Sequence, residues 1–207
     1  MSEHEKAVYS GHVVEFTAVA TEYCKYAEHA SEIKGEEMLN IMQKLLPLLY
    51  MKASMLPLLE PVFEDGNEKF VAESDWNLVH DNLKAAFGSA NDYIELPEDP
   101  SVTDEGTVMS GIAENMADIY QDMKNFVLLY QTGTEEVMND AVWECRINFE
   151  NYWGIRLINA LRAIHRFVVS GREIEYGDKN DRSKDVSDHS EWILSKRQRE
   201  FRDDDDK

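Results

Sequence analysis

Thr134 to Val168 reads TEEVMNDAVWECRINFENYWGIRLINALRAIHRFV, the longest unbroken helical pattern in the chain. Thr134 offers a capping hydroxyl, and Glu135 and Glu136 place acids in the first turn, where the helix dipole favours them. Apolar residues lie around much of the circumference, which predicts the central helix of a bundle. Asn148, Asn151, Arg162 and Arg166 leave one narrower polar stripe for solvent or the tail. Arg156 fits neither face, because it projects between Phe149, Tyr152 and Ala163.

Four further helices are expected upstream. From His12 to Ala30, Val13, Phe16, Val19, Ala20, Tyr23, Ala27 and Ala30 recur at spacings that give one apolar face. After Gly35, the stretch 36–56 carries a stripe of Met38, Ile41, Met42, Leu45, Leu48, Leu49 and Leu56, with Pro47 opposite it on the solvent side. Residues 58–73 read as loop. ESDWNLVHDNLKAAF (73–87) is a shorter helix, with Gly88 just past its end. The acidic segment 88–106 reads as an exposed loop with little structure of its own. Thr107 to Gln131 is the fourth long pattern, with Ile112, Met116, Ile119, Met123, Phe126, Val127 and Tyr130 on its apolar face. Tight connections near 31–35 and 132–134 imply antiparallel neighbours. The expected fold is therefore all-α, an antiparallel bundle of about five main helices over 1–169. A polar, flexible tail follows over 170–207, with room for a short helix near 190–200.

Charge narrows the partners. The formal net charge is -20, of which the tail holds only -3, so the acidity belongs to the helical domain. Nucleic acid and anionic lipid both demand a basic surface and are not expected as partners. A protein partner of basic character fits better. Cys24 and Cys145 lie far apart inside helical patterns and read as buried free thiols. The opening MSEHEKAVYS lacks the apolar core of a signal peptide, and no run of about 18 apolar residues exists, so a cytoplasmic protein is expected.

Tests for chemistry return little. No histidine has a Glu three residues before it, and HExxH, GxSxG and GxxxxGK[ST] are all absent. His12, His29, His80 and His165 read as surface or capping residues. Glu114, Asp118 and Asp122 align on one helix face, but that face points away from the apolar stripe and reads as solvated; they are weak metal candidates. No cofactor is expected. One constellation remains: Lys52 and Arg156 are cations on faces that should be buried, and an unpaired buried charge is costly. Asp122 and Asn115 are the nearest partners by pattern. A pocket there would add Tyr120, Tyr152, Trp153 and Asn159.

The segments VEFTAVATEYCKYAE (14–28), MQKLLPLLYMKASMLP (42–57), ESDWNLVHD (73–81), ENMADIYQDMKNF (114–126) and NDAVWECRINFENYWGIRLINALRAIH (139–165) together resemble the bacterial domain of unknown function 5063 family, found largely in the Bacteroides group. The resemblance covers roughly residues 9–168. It implies a compact, cytosolic, all-helical domain and brings no activity, cofactor or catalytic residue.

The leading expectation is a non-enzymatic protein-interaction or adaptor module, with no catalytic residue. The alternative is a small-ligand-binding protein or enzyme with its site around Arg156. A divalent-metal hydrolase on Glu114, Asp118 and Asp122 ranks last.

Overall fold

The structure, a computed structural model, describes residues 7–64, 66–95 and 108–176. The short helix expected near 190–200 lies outside them. The described chain forms α1 (Gly11–Glu28), α2 (Gly35–Ser54), α3 (Glu73–Phe87), β1 (Asp92–Glu95), β2 (Val108–Gly111), α4 (Ile112–Tyr130), α5 (Glu135–Asn148) and α6 (Gly154–Val169). A π turn over Phe149–Trp153 joins α5 to α6, so the two follow one helical path. Among the described residues no helix is long and apolar enough to cross a membrane.

The bundle is helical as expected, but its centre is α4. That helix packs against α1, α3, α5 and α6, whereas α6 rests on α4 and α2. The Thr134–Val168 stretch is therefore not central. Its wide apolar circumference is shared between two helices that bury different faces. Phe16, Tyr23, Met38, Leu83, Met116, Ile119 and Trp153 are fully enclosed, and one continuous core runs through all six helices. In α2 the buried stripe is Met38, Leu39, Met42, Leu46, Leu49 and Ala53; Leu48 is exposed and Leu45 only half-buried. Pro47 sits inside α2 on its exposed side, where its missing hydrogen bond does least harm.

Two segments read as plain loop carry more order. Asp92–Glu95, within the acidic segment, pairs antiparallel in a hairpin with Val108–Gly111, the expected first turn of the fourth helix, so α4 starts only at Ile112. Asn91 docks that hairpin: its carbonyl accepts from Ile112 N at 2.9 Å, and its Oδ1 accepts from Ala113 N at 2.9 Å. The connection between α2 and α3 is a strap bound by side chains. Asp140 accepts from the amides of Val62 and Phe63 at 2.7 and 2.8 Å. Asn125 Oδ1 accepts from those of Phe70 and Val71, Asn139 donates to Glu60 O, and Arg146 donates to Leu56 O. Polar residues on α4 and α5 thus satisfy backbone groups that have no ladder.

The folded unit continues past the expected tail boundary at 169, as far as Tyr176. Ile174 is buried in the core cluster, and Glu175 exchanges hydrogen bonds with Ser89, its carbonyl accepting from Ser89 N and its amide donating to Ser89 Oγ, each at 2.9 Å. The chain passes so close to Gly35 and Gly88 that a Cβ at Gly35 would meet Ile174 Cδ1 at 2.8 Å, and one at Gly88 would meet Glu175 O at 2.6 Å.

Candidate functional site

The π turn decides where the last helix aims its side chains. It inserts about one extra residue into the helical path and rotates the downstream helix by about 100°. Ala141, Cys145, Phe149, Trp153 and Leu157 are all buried, at four successive intervals of four. A plain α-helix would rotate such a row off the core face; the wider turn keeps it there. Gly154 closes the turn, at a spot where a Cβ would collide with the carbonyl of Phe149.

Past that turn, Arg156 meets α4. Its Nη1 lies 2.7 Å from Asp118 Oδ2 and donates to Asn115 Oδ1 at 3.2 Å, and its guanidinium stacks 4.7 Å from the centre of the Tyr152 ring. Trp76 Nε1 donates to the other Asp118 oxygen at 2.9 Å. Asn115 Nδ2 donates in turn to the Tyr93 hydroxyl on β1, and Asn159 Nδ2 donates to Glu95 Oε1 at 2.6 Å. Burial, and then the Asp118 carboxylate, push the Tyr152 hydroxyl above its ordinary range, while Arg156 pulls it down. This network ties the hairpin to α4 and α6.

The other residues singled out from sequence fall elsewhere. Lys52 stays out of the network: it reaches sideways to Glu15 on α1, with Nζ 2.6 Å from Oε2. Tyr120 is enclosed, its hydroxyl donating to Glu28 Oε1 at 2.9 Å beside the buried ion pair of Lys124 with that same carboxylate. Trp153 is wholly buried, and its indole N–H donates to Cys145 O at 3.3 Å. Tyr120 and Trp153 are therefore core residues. Nor do Glu114, Asp118 and Asp122 form a solvated acidic face. Glu114 is exposed, but Asp118 is held by Arg156 and Trp76, and Asp122 accepts from Asn148 Nδ2 at 2.6 Å. Among the described residues no three metal-ligating side chains converge. Asp122 is largely buried, which pushes its carboxyl up to about 6 against the opposing pull of Asn148 and Lys69. The buried thiols of Cys24 and Cys145 are both pushed up as well, which removes the thiolate a nucleophile needs.

The concave feature that sequence reading missed lies one to four turns beyond Arg156. An open cleft of about 490 Å³ separates the hairpin from the end of α6, with Arg162, Arg166 and Arg172 on one side and Ile94 and Met109 on the other. Neither Arg162 nor Arg166 has an ion pair to a described residue. Arg172 lies over the Phe167 ring at 5.0 Å and its Nε donates to Ser170 Oγ at 3.2 Å. Asp92 also lines the cleft, with Oδ1 accepting from Asn91 Nδ2 at 2.8 Å. One signal for this site was open to view: residues 151–172 contain no Asp or Glu in a chain holding 41 of them.

These features define a helical-bundle domain with a hairpin-flanked cationic cleft and no catalytic constellation among the described residues. The chain belongs to the family described as Domain of unknown function (DUF5063), whose model matches residues 7–170. Among solved structures it is similar to protein BF1032 from Bacteroides fragilis, with 33% identity and a TM-score of 0.69, covering 84% of this chain and 98% of that one. A comparison with curated proteins finds no match.

Proposed function

We propose that this chain is a non-enzymatic cytoplasmic interaction module that recognises an anionic group in the cleft between the hairpin and α6. One observation carries the reading: a chain of net charge -20 gathers three arginines around a single open concavity, two of them with no ion pair to a described residue. Three guanidinium groups drawn together repel one another, with Asp92 the one carboxylate among the described lining residues, and an anionic guest relieves that repulsion. The cleft's volume falls within the range of ligand sites. Binding is favoured over turnover because Arg156 and Asp118 are engaged in holding the hairpin, Asp140 in holding the strap, and Asp122 in joining α4 to α5 through Asn148. The basic protein partner expected from net charge would dock away from this cleft.

The reading is tested by thermal shift on the full chain with a panel of inorganic and organic oxyanions against chloride at equal ionic strength. A ligand that binds only the folded state raises the melting point. The rise should appear for oxyanions and vanish in the Arg162→Gln, Arg166→Gln double variant. A flat panel, or an equal rise in the double variant, overturns it.

A further inference from the structure

Resting on that reading, we infer that the cleft takes an amphiphilic oxyanion: a carboxylate or phosphate head on the arginines, joined to an apolar body that lies on the hairpin. Ile94 and Met109 are cross-strand partners, and they stand 52% and 64% exposed while facing the cleft. Two unpacked apolar side chains opposite a row of guanidinium groups form a surface that a bare inorganic ion cannot use. Covering them with hydrocarbon returns their apolar area from water.

The hairpin wall is also held firm. Tyr93 stands between Asp92 and Ile94, both cleft residues, and its hydroxyl accepts from Asn115, which is fixed by Arg156. Glu95 is fixed by Asn159. The network around Arg156 therefore positions the apolar wall and leaves the head group to Arg162, Arg166 and Arg172. Asp92 places one acid among the three arginines, which suits a head group of low charge.

Two sources share this chemistry, a free small acid and the carboxyl end of a peptide. The test is calorimetric titration of the full chain with acetate, butyrate, hexanoate and hexyl phosphate. Hexanamide serves as the neutral control, and an acetylated tripeptide ending in leucine is compared with its C-terminal amide. Affinity should rise by roughly two- to fourfold per methylene. Hexanamide should not bind, and the Ile94→Ser, Met109→Ser double variant should flatten the series while acetate is unchanged. Preference for hexanoate assigns a free acid, and preference for the free-ended peptide assigns a chain terminus; either supports the inference. If acetate binds as tightly as hexanoate, the amphiphile is overturned and the anion cleft stands. If no oxyanion binds, both fall together.

Discussion

Arg156 Nη1 lies 2.7 Å from Asp118 Oδ2, so the residue that fits neither face of its helix is the clamp between α6 and α4. Both side chains are largely shielded but not sealed off, at 30% and 13% exposure, so the pair is worth less than a fully buried one. Arg156→Met and Asp118→Ala should each lose about 1–2 kcal/mol in urea unfolding. The double variant should fall short of their sum by about 1 kcal/mol. Strict additivity would place the stabilisation outside the pair.

Gly154→Ala reverses an ordinary rule. In a regular helix interior the change gains up to about 1 kcal/mol. Here the new methyl group meets the Phe149 carbonyl inside the π turn. A loss of about 1–3 kcal/mol by chemical denaturation is expected, the size typical of overpacking. A gain would mean that the turn relaxes to a plain α-helix at no cost.

Asp122 should make stability depend on pH. Its folded value of about 6 lies above the ordinary unfolded value of about 3.9. Between those values the folded state holds a proton that the unfolded chain has released. Stability therefore falls as pH rises through that window, and the penalty is complete above it. Asp122→Asn keeps an oxygen for Asn148 and removes the charge. The variant should exceed the parent by about 2 kcal/mol at pH 7.5, with the gap closing near pH 4. A constant gap across thermal melts from pH 4 to 7.5 would remove Asp122 as the cause.

Asp140→Ala should loosen the strap. The change strands the amides of Val62 and Phe63, which charge-assisted hydrogen bonds now satisfy. The expected loss is about 2–3 kcal/mol, and limited proteolysis should gain a cut within 57–72 that the parent resists. Equal resistance there in parent and variant would show that Asn125 and Arg146 hold the strap unaided.

The helices were legible because apolar residues recur at helical spacing and because Gly35, Gly88 and Gly133 punctuate them. The strap was not, since its order comes from Asp140, Asn139, Asn125 and Arg146, all distant in sequence, and periodicity carries no record of such hydrogen bonds. Lys52 illustrates the same limit. Its helix phase predicts a buried cation, whereas the side chain is only partly buried and packing places it 2.6 Å from the exposed Glu15. The π turn had left a trace in the fourfold spacing from Ala141 to Leu157. A fixed 100° per residue erases that trace and aims Arg156 at the core. The candidate site suffered most from this. The sequence pattern singles out Arg156, which like Arg146 is already paired, and reads Arg162 and Arg166 as a polar stripe for solvent or the tail.

Ile174 and the two glycines beneath it bear on where this protein can be cut. The family match stops at residue 170, and a fragment ended there keeps every long helix. It nevertheless leaves a glycine-floored trough between the start of α2 and the end of α3, with the amide and hydroxyl of Ser89 unmet. Such a trough is an adhesive seam for another extended chain. Fragments trimmed to Ser170 should aggregate at lower concentration in light scattering than chains carried through Tyr176, and they would lack Arg172 from the cleft as well.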